Sequence, residues 1–109
     1  MEERRIRDRS GLREALGADL FLLFKQSFRC PVSRRAFEEY ADFVLDHPEV
    51  PTGWIDVVAD RDLSREAAEA TGVTHESPQA LLIRGGRVVW HASHGAITAS
   101  ALEAAAQAE

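Results

Sequence analysis

Leu20-Phe21-Leu22-Leu23-Phe24-Lys25-Gln26-Ser27-Phe28-Arg29-Cys30-Pro31-Val32-Ser33 decides the fold. Leu20 to Phe24 is apolar at every position, so both faces of an extended segment would be covered, which predicts a buried central strand. Pro31 suits the first turn of a helix, where its missing N–H has no partner to lose. The helix is expected to run to about Asp46, with Ala36, Phe37, Tyr40, Phe43 and Val44 on one face, and His47-Pro48 stops it. Cys30, the only cysteine, therefore sits at a strand-to-helix junction. Backbone N–H groups converge there and favour a thiolate, as does the charge of Arg29. Ser33 stands where a two-cysteine redox motif carries its second thiol. No internal disulfide can form, and any sulfur that pairs with Cys30 must come from outside.

Outward from this stretch, Trp54 to Val58 reads as a second strand. Asp60 or Asp62 is placed to cap a helix from about Leu63 to Ala70, with Gly72 as its left-handed terminator. Ala80 to Ile83 is a third strand, Gly85-Gly86 a hairpin turn, and Arg87 to His91 a fourth strand. Thr98 or Ser100 opens a last helix through Ala106, with Ile97, Ala101, Leu102 and Ala105 inward. Upstream, Ser10 is expected to cap a short helix ending near Gly17, and Met1 to Arg9 is expected to be partly disordered. The order α, β, α, β, α, β, β, α contains two β-helix-β units, which predict two parallel pairs and a final antiparallel hairpin. This is an α/β chain. It matches the thioredoxin-like fold: a four-stranded mixed sheet flanked by helices, one domain over residues 10–109, with the thiol at the carboxyl end of the first central strand.

Composition sets outer bounds. A chain of 109 residues, 45% hydrophobic and 28% charged, suits one soluble core. No apolar run approaches the ~20 residues that span a bilayer. A single unpaired cysteine and a charged start without the apolar stretch of an export signal point to a reducing cytoplasm. The net charge of −5 argues against general nucleic-acid binding. The four histidines (His47, His75, His91, His94) are scattered, and no metal site is expected. His75 and His94 are read as exposed or packed residues, and Trp54 and Trp90 as core.

Three segments carry a family resemblance. Cys30-Pro31-Val32-Ser33 is close to Cys-Pro-Ile-Ser; His75-Glu76-Ser77-Pro78-Gln79-Ala80 precedes the third strand; Ala92-Ser93-His94 is followed by Ile97-Thr98 before the last helix. Together, over roughly residues 18 to 105, the chain resembles the monothiol bacilliredoxins, small thioredoxin-like proteins of the bacillithiol system also described as YtxJ. It departs from them at Arg29, where the family usually has threonine, and at Gly95 after His94. The resemblance implies thiol-disulfide exchange that removes bacillithiol, a small anionic thiol carrying glucosamine and malate, from protein mixed disulfides. Cys30 would be the nucleophile, with Arg29, Pro31 and Ser33 as its surroundings. Bacillithiol would act as co-substrate, no cofactor would be tightly bound, and bacillithiol-modified proteins would be the clients.

The fold also implies a cis bond before Pro78, opposite the thiol, letting the Ser77 backbone pair with substrate. Arg29, Arg34 and Arg35 are candidates for the malate carboxylates. Arg34 and Arg35 point about 100° apart, so at most one is expected to face the ligand. Phe28, beside Cys30, is a candidate client contact or a packed residue. Ser33 is expected to satisfy a backbone N–H, and to bond the Cys30 sulfur as a further option. Two rival readings remain. One is a protein-binding module in which Cys30 is structural and buried. The other is a different thiol-dependent enzyme, such as an arsenate-reductase-like protein using Arg29 and Arg34 on an oxyanion.

Overall fold

The apolar run does form the central strand. The computed structural model describes residues 1–108, and Glu109 lies outside the described residues. Strand β1 (Leu20–Gln26) is followed by α2 (Pro31–Asp46), β2 (Thr52–Asp56), α3 (Arg61–Thr71), β3 (Gln79–Arg84), β4 (Arg87–Ser93) and α4 (Ala99–Gln107); α1 (Arg9–Leu16) precedes them. The sheet order is β2-β1-β3-β4. Alternate residues of β1 serve opposite layers. Leu22 and Phe24 join Tyr40, Phe43, Trp54 and Leu102 beneath α2 and α4. Leu23 joins Leu12, Ile55, Leu63, Ala67 and Leu81 beneath α1 and α3. Continuous apolarity thus reflects burial on both faces.

Among the described residues one strand pair is parallel, β1 with β2. Strand β3 runs antiparallel to β1, on the side away from β2, and β4 antiparallel to β3. The expectation of a second parallel pair is therefore corrected, and the reason is one of lengths. Helix α3 carries the chain about 16 Å along its axis. Residues 73–78, largely without regular structure, span about 20 Å when extended, enough to return the chain to the end it came from. Strand β3 then starts where β1 finishes: Gln79 pairs with Lys25.

The start of the chain is also corrected. Residues Glu2–Arg4 form a 3-10 turn, Arg5 bridges Trp54 in parallel, and the Ile6 N–H donates to the Trp54 carbonyl at 2.8 Å. Ile6, the apolar residue within a charged run, is buried. The Trp54 indole donates to the Met1 carbonyl at 2.8 Å, and the Arg5 guanidinium lies over the Trp54 ring while pairing with Asp60 at 3.2 Å. Gly53 makes this docking possible. A Cβ there would come within 3.0 Å of the Arg4 carbonyl oxygen, Ile6 Cδ1 and Phe21 Cζ.

Helix α1 is capped by Asp8, whose carboxylate accepts the Gly11 N–H at 2.8 Å, and not by Ser10. Helix α4 is capped by Thr98 through the Ala101 N–H. Gly72 ends α3 at φ 74°. No helix among the described residues is long and apolar enough to cross a membrane.

Candidate functional site

Cys30 is the N-cap residue of α2, with φ −110° and ψ 129°. Its carbonyl accepts the Arg34 N–H at 3.0 Å, while its side chain makes no capping bond. Pro31 has no N–H, and the amides of Val32 and Ser33, in the first turn, lack helical partners. They lie at the N-terminal end of a 16-residue helix, the positive end of its dipole. Cys30 is a free cysteine of intermediate exposure. It is reachable without being a surface residue.

The neighbours divide. Ser33 is wholly buried, and its hydroxyl has no hydrogen-bond partner. Neither expected role, a bond to a backbone N–H or to the Cys30 sulfur, is realised. Phe28 is both exposed and packed. It is 46% exposed, yet its ring stands edge-on to Phe37 at 5.4 Å and to Trp54 at 5.5 Å. Together with exposed Val32 it places apolar surface on both sides of Cys30 in sequence. Arg29, Arg34 and Arg35 are exposed, and none is in an ion pair among the described residues. Arg34 and Arg35 both line one open depression with Pro31, Glu38 and Glu39. Cys30 is not among the residues that line it.

The Ser77–Pro78 peptide is cis. Since Gln79 pairs with Lys25, Pro78 lies at the same end of the sheet as the Cys30 loop. Ser77 Oγ is buried without a partner. The Pro78 carbonyl accepts the His94 N–H at 3.1 Å. His94 sits at φ 54°, in the left-handed region that non-glycine residues seldom occupy, and its Nδ1 lies 3.4 Å from Glu76. His94 and Glu76 thus link the turn after β4 to the segment before β3.

A second group was not picked out in the sequence. Lys25, the only lysine, is fully buried. It shares the parity of Leu23, so it points beneath α3. Its Nζ lies 3.3 Å from His75 Nδ1, and Ser64 Oγ lies 3.1 Å from the same nitrogen. Burial pushes the lysine down to about 8. His75 is also pushed below its usual range, first by desolvation and then by the Lys25 charge, with Glu76 opposing. An ammonium cannot accept, so beside charged Lys25 the His75 proton belongs on Nε2. The available sequence signal was a lysine following an apolar strand at an inward-facing parity.

A single accessible thiol at a helix N-terminus, at the end of the central strand of this mixed sheet, defines a monothiol protein of the thioredoxin fold. Residues 5–102 match the family model described as monothiol bacilliredoxin BrxC, and the chain belongs to that family. It is a thiol-redox protein. Among solved structures, one described as having a thioredoxin fold is similar at 29% identity, covering 93% of this chain and 90% of that one with a TM-score of 0.86. Oxidised thioredoxin from Plasmodium falciparum is similar in fold at 16% identity, covering 95% and 94% with a TM-score of 0.73. Mitochondrial thioredoxin 3 from Saccharomyces cerevisiae is similar at 17%, covering 94% and 92% with a TM-score of 0.72.

Proposed function

We propose that this protein removes bacillithiol from client proteins in a reducing cytoplasm, with Cys30 as the nucleophile and bacillithiol as co-substrate. The Cys30 thiolate attacks the bacillithiol sulfur of a client mixed disulfide. The client sulfur leaves as thiolate and takes a proton, and Cys30 keeps the bacillithiol. A second thiolate, from free bacillithiol or another redox protein, then attacks that sulfur and releases Cys30. The observation that carries this reading is an accessible thiol at a helix N-terminus with no second cysteine in the chain. Resolution must therefore be intermolecular.

Within this reading, Arg29, Pro31 and Ser33 surround the thiol. Arg34, with Arg35 beside it, offers guanidinium forks to the malate carboxylates. Phe28, Ser77 and Pro78 form the surface a client meets. The rival reading, a binding module with a structural Cys30, requires an inaccessible sulfur, and the partial exposure of Cys30 disfavours it.

The test is intact-mass analysis of reduced protein after incubation with oxidised bacillithiol and, separately, oxidised glutathione. One bacillithiol adduct, absent in Cys30→Ala and much slower with glutathione, is expected. Equal rates with both would leave a general reactive thiol. No adduct with either would make Cys30 structural.

A further inference from the structure

The face behind His75 is a small basic cleft. Val57, Arg61, Ser64, Arg65, Ala68 and His75 line a cavity of about 230 Å³ with no acidic residue in its wall. Arg61 and Arg65 lie one helical turn apart on α3 and are in no ion pair among the described residues. Four of the nearby carboxylates are engaged elsewhere. Asp60 holds Arg5, Glu66 holds Arg9, Asp56 accepts the Val58 and Ala59 N–H groups, and Glu76 faces His94. Asp62 and Glu66 border a separate depression on the other flank of the two arginines, Asp62 itself in no ion pair. Behind His75 stands Lys25, fully buried, whose one side-chain hydrogen-bond partner among the described residues is an imidazole nitrogen of His75. A buried cation without a counter-charge is costly. It remains in a chain whose net charge is −5.

We infer that this cleft binds a small dianion, a phosphate or a dicarboxylate, through Arg61, Arg65 and the Nε2–H of His75, with the Ser64 hydroxyl holding the His75 ring by donating to its Nδ1. Two guanidinium groups match the paired oxygens of either group, and Lys25 supplies positive potential from behind. The volume fits the size: at ~30 Å³ per water, it corresponds to roughly eight waters, enough for phosphate or a four-carbon diacid. The cleft opens beside Val57 at the end of β2 and beside His75, three residues before Pro78, so it lies at the same end of the sheet as Cys30. The inference does not depend on what Cys30 reacts with.

The test is an amide NMR titration of the reduced protein with sodium phosphate and with sodium malate, at ionic strength matched by sodium chloride. Saturable shifts centred on Ser64, Ala68 and His75 are expected with at least one dianion. They should weaken at least about tenfold in Arg61→Ala/Arg65→Ala, since charge-assisted hydrogen bonds are lost, and persist in Arg34→Ala. Tighter binding of malate marks a dicarboxylate site, and tighter binding of phosphate a phosphate site. Linear shifts equal to those of chloride, or saturable shifts unchanged in both the double variant and His75→Gln, overturn the inference. Because both arginines are exposed on α3, the double variant should retain its fold, which its amide spectrum reports.

Discussion

Two buried polar side chains behave oppositely from what a core requires. Lys25 is wholly enclosed and held near 8 by desolvation. Its folded value is depressed relative to the unfolded chain, so between about pH 8 and about pH 10.5 the unfolded state binds the extra proton, and stability rises with pH across that window. Below it the full penalty applies. Lys25→Met should therefore stabilise the fold at neutral pH by up to about 3 kcal/mol and flatten the alkaline rise, as read by urea denaturation at several pH values. Ser33 is the second case, buried with an unpaired hydroxyl. Ser33→Ala removes that unmet group and should leave stability unchanged or raise it by about 1 kcal/mol. If the adduct-forming rate of Cys30 is also unchanged, the hydroxyl takes no part in thiolate stabilisation; a slower rate would show that it turns toward the sulfur during reaction.

At the scale of elements, helix ends and strand contacts carry the predictions. His47, at the end of α2, lies 2.9 Å from Glu103 on α4 and 3.3 Å from Glu49. The Glu103 carboxylate raises its pKa, burial opposes this, and Glu49 adds to the rise. A raised folded value means that the contribution is complete below the unfolded value near ~6.5 and is lost as pH rises through the folded one. His47→Gln should cost stability at about pH 5.5 and have little effect at about pH 9, measured by chemical denaturation at both. Gly53→Ala should drive the N-terminal segment off β2, because the Cβ meets a backbone oxygen and two packed side chains at 3.0 Å. A cost of about 1–3 kcal/mol and faster hydrogen exchange at the Ile6 amide are expected; wild-type exchange there would mean that the segment shifts to accommodate the methyl group.

The whole molecule is one sheet with a core on each face, and both cores draw on β1. Leu22→Ala empties space beneath α2 and α4, Leu23→Ala beneath α1 and α3. Each should cost about 2–5 kcal/mol, lowering Tm by about 4–8 °C per kcal/mol. In both variants far-ultraviolet circular dichroism and tryptophan fluorescence should report one coincident transition. Separate transitions would show that the layers unfold independently.

Local chemistry was readable in the chain. The apolar run Leu20–Phe24, Pro31 at the first helical turn, Gly72 after a helix and Gly85-Gly86 between strands each constrain the backbone through their own sterics and burial. So the elements, the place of Cys30 at their junction and the want of a second thiol followed from order and spacing alone. Strand direction did not follow, because β3 pairs with β1 and not β2, and that depends on the return path through residues 73–78. Nor did the docking of Met1 to Ile6, which needs the space left by Gly53. The meeting of Lys25 with His75 and Ser64 stayed hidden for the same reason. These contacts join residues up to 64 positions apart, Leu20 and Arg84 among them, and composition and periodicity act over a turn or a strand. Long-range pairing is decided only once the sheet is assembled and its two faces compete for side chains.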